Sequence, residues 1–164
     1  MSTPTYVLVL DGVLRKPATN AVIEQGANLY WALAETGRLA LLCGEDKEKA
    51  DWFLRTNGFT KHVYLLPEDP TASPTQAGRR MQQIRQLRGR QAHIQFVVEP
   101  DPRIVTELFK ESVPVMAYLH PVYTQPAFRP DYQGTATPWE DLIKEVEYQI
   151  DTKAAHAYDF EDVD

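Results

Sequence analysis

Short apolar runs alternate along this chain with longer stretches whose apolar residues recur every three or four positions. The runs predict five strands, at Tyr6–Leu10, Leu39–Cys43, about His62–Leu66, Ile94–Val98 and about Pro114–Leu119. They are almost continuously apolar, as strands covered on both faces must be. Between them, Val22, Ile23, Gly26, Leu29, Tyr30 and Leu33 fall on one helical stripe, with Gly37 as its stop. A second helix is predicted from about Glu45 to Thr56, with Ala50, Phe53 and Leu54 inward. A third begins with Ser73 as N-cap and Pro74 at the first helical position, and buries Ala77, Met81, Ile84 and Leu87. The fourth is capped by Asp101 before Pro102 and buries Ile104, Val105, Leu108 and Phe109. A last helix, 138–150, is announced by Thr137-Pro138-Trp139-Glu140 and should pack back on the sheet through Leu142, Ile143, Val146 and Ile150.

Strand–helix alternation of this kind predicts an α/β fold: a doubly wound, mostly parallel, five-stranded Rossmann-like sheet with helices on both faces. One domain over 5–150 accommodates it. Two stretches fall outside the alternation. Residues 121–136 are rich in Pro, Tyr and Gly and form an irregular arm, longer than ordinary connections. Residues 151–164 end in an acidic tail expected to be mobile.

Composition narrows the class without naming it. With 43% hydrophobic and 24% charged residues the chain is an ordinary globular one, and no apolar run approaches the roughly 18 residues of a membrane span. The start of the chain carries no secretory pattern, so a cytoplasmic protein is expected. A single cysteine, Cys43, excludes an internal disulfide and a multi-thiolate zinc site. The net charge of −6 argues against nucleic acid as a partner. Arg79, Arg80, Arg85, Arg88 and Arg90 run against that balance, and are read as a solvated helix face ahead of a phosphate-backbone patch.

Candidate chemistry gathers at strand ends. The first strand runs into Asp11-Gly12-Val13-Leu14, the second ends in Leu41-Leu42-Cys43-Gly44, and the fourth delivers Glu99-Pro100-Asp101. Over residues 5–120 this resembles the haloacid dehalogenase-like superfamily of phosphatases and phosphotransferases. In that family the first strand ends in Asp-x-Asp-Gly, the second in Ser or Thr, a Lys comes next, and acidic residues after the fourth strand hold Mg²⁺. The resemblance places Asp11 at the general acid and base, and Val9 at the nucleophile, where valine cannot form an acyl phosphate. If Asp11 is instead the nucleophile, Val13 takes the general-acid position. Either register lacks one carboxylate, because no other acidic residue precedes Glu24. Cys43 stands where Ser or Thr would hold a phosphoryl oxygen, and a thiol is a weak donor. No Lys occurs between Lys61 and Lys110, which leaves Arg79 or Arg80 nearest the expected cation.

If the site is active, the resemblance implies Mg²⁺ held by Asp11, Glu99 and Asp101, oxygen ligands suited to a hard cation. Each has an ordinary reading beside it: Asp11 as a turn residue before Gly12, Asp101 as an N-cap, and Cys43 as a small buried hydrophobe. The short span between Leu14 and the first helical stripe leaves no room for a substantial cap. The arm and the start of the last helix concentrate Tyr123, Phe128, Arg129, Tyr132 and Trp139, residue types that carry binding energy at interfaces. This stretch is similar to one in small haloacid dehalogenase-like proteins of actinobacterial tailed bacteriophages, which would put the protein in a host cytoplasm or with a virion. The expectation is a non-catalytic binding or assembly protein with a protein partner or self-association. The alternatives are a Mg²⁺-dependent phosphatase or nucleotidase acting through Asp11, and a sensor that binds a phosphorylated small molecule.

Overall fold

In a computed structural model of the chain, residues 3–16, 19–119 and 140 are described. They form β1 (Pro4–Val9), α1 (Glu24–Ala34), β2 (Arg38–Leu42), α2 (Lys47–Thr56), β3 (Tyr64–Leu66), α3 (Gln76–Gly89), β4 (His93–Glu99), α4 (Pro102–Lys110) and β5 (Val115–Ala117). The five strands make one parallel sheet in the order β3-β2-β1-β4-β5. Strand order reverses between β1 and β4, the place at which open α/β sheets present a crevice beyond their carboxyl ends. The doubly wound α/β sheet expected from the sequence is therefore the fold. The arm at 121–136, the helix at 138–150 apart from residue 140, the tail at 151–164 and the residues Tyr123, Phe128, Arg129, Tyr132 and Trp139 lie outside the described residues.

Alternation along β1 sorts the core into two layers. Leu8 joins Leu39, Leu41, Tyr30, Phe53 and Leu54 under α1 and α2, whereas Val7 joins Ala40, Leu42, Ile84, Leu87, Ile104 and Leu108 under α3 and α4. Successive residues of a strand point to opposite faces, so a strand covered on both sides must be apolar at every position. Each fully buried Leu or Ile contributes about 1.5–3 kcal/mol. No helix among the described residues is long and apolar enough to cross a membrane.

Element ends differ from the pattern where a side chain takes over a backbone partner. β3 is shorter than the predicted His62–Leu66 because the amides of Lys61 and His62 donate to the Tyr30 hydroxyl (2.8 and 2.9 Å). Helix α3 is capped by Thr75, whose Oγ1 accepts from the Gly78 amide (3.1 Å), and not by Ser73. Ser73 Oγ accepts from the Thr75 amide instead (3.3 Å), folding the preceding turn over the helix. A Cβ on Gly78 would lie 2.0 Å from that hydroxyl, so only glycine admits the turn. Asp46 caps α2 by accepting from the Lys49 amide (3.0 Å), which moves the helix start from Glu45 to Lys47.

The segment after β1 decides the shape of the sheet's carboxyl end. Gly12, at φ +93°, turns the chain sharply, and the Leu14 and Arg15 amides donate back to the Leu10 carbonyl (2.9 and 3.0 Å). Arg15 then forms an isolated antiparallel bridge with Val22, and the six residues between them are too few for a cap domain. A Cβ on Gly26 would sit 1.6 Å from the Val13 carbonyl oxygen. That glycine lets α1 close down on the turn.

Candidate functional site

All five parallel strands end on one side of the sheet, and the ends of β1 to β4 carry Val9, Asp11, Cys43, Glu68, Glu99 and Asp101. Val9 pairs in register with Leu42 and stands in line with Glu99, one step past the paired Leu8 and Val98. It is 3% exposed, within the α1/α2 core. Valine there has neither a charge nor a lone pair to present to a ligand.

Asp11 comes two residues later, and its Oδ1 accepts from Arg15 Nε at 2.6 Å. Its carboxylate is about one-third exposed (30%), and the Arg15 guanidinium is held from the far side by the Phe53 ring, 5.5 Å from its centroid. Cys43 is buried, and burial, assisted by the negative charge of Asp11, pushes its thiol up to about 11. Such a thiol is protonated at neutral pH and a poor nucleophile. The reading of Cys43 as a small buried hydrophobe agrees with this geometry.

A different arrangement surrounds Glu99. Its carboxylate is 1% exposed, accepts from Arg80 Nε (2.9 Å) through Oε2 and from the Asp101 amide (3.2 Å) through Oε1. Arg80 also donates to Gln83 Oε1 (2.9 Å), while Gln83 Nε2 donates to the carbonyls of Leu66 (2.9 Å) and Cys43 (3.1 Å). One network thus ties α3 to the ends of β2, β3 and β4, and every buried side-chain polar atom among the described residues has a partner. Burial pushes the Glu99 carboxyl up to about 7, against the pull of Arg80. Asp101, also buried, caps α4 by accepting from the Arg103 amide (3.0 Å), and its two oxygens receive Arg103 Nε (3.2 Å) and Nη2 (3.1 Å). The N-cap reading of Asp101 holds.

Two of the five clustered arginines turn inward. Arg80 is 3% exposed on Glu99, and Arg79 Nε donates to Glu68 Oε1 (3.1 Å), leaving Arg85, Arg88 and Arg90 exposed. A uniformly solvated basic face is therefore not what α3 presents. The sequence reading missed Arg15, Glu68 and Gln83 as parts of these pairs. For Arg80 a signal existed, since it stands on the apolar stripe four and seven residues before Ile84 and Leu87.

Mg²⁺ takes several oxygen ligands in near-octahedral order. The three carboxylates assigned to it by the resemblance do not gather, and no group of three or more His, Cys, Asp or Glu residues among the described ones stands close enough to hold a metal. Each is engaged by its own arginine: Asp11 by Arg15, Glu99 by Arg80 and Asp101 by Arg103. The donor set does not fit the ion.

No family model matches the chain, and neither does any curated protein. Solved structures do. Two chains from structures of the Pnkp1/Rnl/Hen1 RNA repair complex superpose with a TM-score of 0.57, at 17% and 18% identity, over 71% and 72% of this chain. The chain spans only 42% and 47% of their lengths. The haloacid dehalogenase-like hydrolase SP0104 from Streptococcus pneumoniae matches at a TM-score of 0.56 and 12% identity, over 87% of this chain and 98% of that one. At such identities the likeness concerns the backbone alone. The chain has a haloacid dehalogenase-like fold.

Proposed function

We propose that this is a non-catalytic haloacid dehalogenase-like domain, a binding or assembly protein whose partner is another protein or a second copy of the chain. The observation that carries the reading is Val9, a buried aliphatic side chain at the strand position that the family resemblance gives to the nucleophile. Phosphoryl transfer depends on positioned charge, and the charges near this position are already paired with one another. A protein partner or self-association is supported by β5, which among the described residues is one edge of the sheet, carries Met116 at 48% exposure and leads to Leu119 at 60%. Fold alone does not decide activity, so the hydrolase name of a structural neighbour is no argument against this reading. The rival, a Mg²⁺-dependent phosphatase acting through Asp11, draws on the partial exposure of that one carboxylate.

A panel of phosphate monoesters and nucleotides assayed with Mg²⁺ separates the two. The unaltered protein and Asp11→Asn are expected to be equally inactive. Turnover that Asp11→Asn abolishes would overturn the reading. Light scattering after size exclusion tests the assembly part: a dimer, or a co-eluting partner from the native source, is expected, and a strictly monomeric protein that brings nothing with it counts against it.

A further inference from the structure

We infer that arginine side chains replace a divalent cation at the carboxyl end of this sheet, so that the domain supplies its own charge compensation and binds no Mg²⁺. The inference deepens the non-catalytic reading and rests on it, but it is read out by metal binding rather than turnover, so the two fail separately. Asp11 follows β1, Glu99 ends β4 and Asp101 follows it, and each of these carboxylates meets a guanidinium of its own: Asp11 with Arg15 at 2.6 Å, Glu99 with Arg80 at 2.9 Å, Asp101 with Arg103 at 3.1 Å. A planar guanidinium offers a carboxylate directed donors along its lone pairs, which is the approach a metal would use.

These arginines are held by more than their carboxylates. Arg15 lies over the Phe53 ring, and Arg80 donates to Gln83, which is fixed in turn to the Leu66 and Cys43 carbonyls. Asp101 is further committed by capping α4. Admitting a cation at Glu99 would require breaking a buried network and leaving Gln83 Oε1 without its donor, which low-dielectric surroundings make costly. Of the three carboxylates, that of Asp11 is the most open to solvent, at 30% against 1% for Glu99 and 2% for Asp101.

Two measurements on the full chain test this. A Mn²⁺ titration followed by electron paramagnetic resonance of the free ion should show no saturable binding by the unaltered protein, whose thermal midpoint should be the same in EDTA and in millimolar MgCl₂. Arg15→Met should unfold a few degrees lower, and by the same amount in EDTA and in MgCl₂, because the single carboxylate it leaves does not make a site for the ion. Stoichiometric Mn²⁺ binding by the unaltered protein that Asp11→Asn removes would overturn the inference, as would a thermal midpoint of the unaltered protein that is higher in MgCl₂ than in EDTA. Should Arg15→Met fail to fold, the Mn²⁺ titration of the unaltered protein still decides.

Discussion

Beyond the carboxyl ends of two adjacent strands, β1 and β4, the same pair of residue types is used in opposite ways. After β4, Glu99 and Arg80 are 1% and 3% exposed and belong to a hydrogen-bonded network that reaches three strands. After β1, Asp11 and Arg15 form one bond within a turn, with about one-third of the carboxylate in contact with solvent. Burial makes the first pair structural. Its members cannot be traded for a ligand without unpicking the attachment of α3 to the sheet. The second pair is local and screened by water, and it is the part of the strand-end surface at which substitution should alter binding without unfolding the domain.

The largest expected difference tests that contrast directly. Replacing Arg80 with Ala removes a buried partner from Glu99 and from Gln83 Oε1 at once, and should cost about 3–5 kcal/mol, the range for breaking a buried pair from one side. Urea unfolding followed by tryptophan fluorescence measures it. A loss below about 1 kcal/mol would place the network on the same footing as a surface pair and end the comparison.

The pH dependence sharpens it next. Because burial raises the Glu99 carboxyl from its ordinary value of 4.5 to about 7, the folded state holds that proton more tightly than the unfolded state. The contribution of this group to stability is then complete below about pH 4.5 and is lost as pH rises through about 7. The stability difference between the unaltered protein and Glu99→Gln should decline across that window and flatten beyond it. A difference that instead grows as pH rises would mean that Arg80 outweighs burial and holds Glu99 ionised.

Neither of these pairs was foreseen from the sequence, and the reason lies in what spacing can carry. Strands and helices were legible because each element is buried along a regular stripe or on two faces, as at Tyr6–Leu10 and along Ile104, Val105 and Leu108. The Asp101 cap was legible because its partner, the Arg103 amide, lies two residues away. The Arg80–Glu99 pair joins residues nineteen positions apart, and Gln83 reaches a carbonyl forty positions back, distances at which periodicity says nothing. The misplaced α3 cap has a smaller cause: Ser73 and Thr75 are both competent caps, and the preference fell to the one whose hydroxyl reaches the Gly78 amide. The empty nucleophile position needed no structure, since the absence of a second acidic residue before Glu24 is a property of the sequence.

The smallest effect is expected at Arg15, and it is the one that bears on the surface most open to change. Arg15→Ala removes a bond to a carboxylate that water can solvate in its place, together with the contact on Phe53, so the loss should be about 1 kcal/mol or less in each part. A double-mutant cycle with Asp11→Asn and Arg15→Ala separates the two parts. If the coupling energy falls within the range of exposed pairs, about 0.2–1 kcal/mol, the contact on Phe53 accounts for the rest of what Arg15 contributes. A coupling of several kcal/mol would mean that the Asp11–Arg15 pair behaves like the buried one, and that the turn after β1 is held as rigidly as the end of β4.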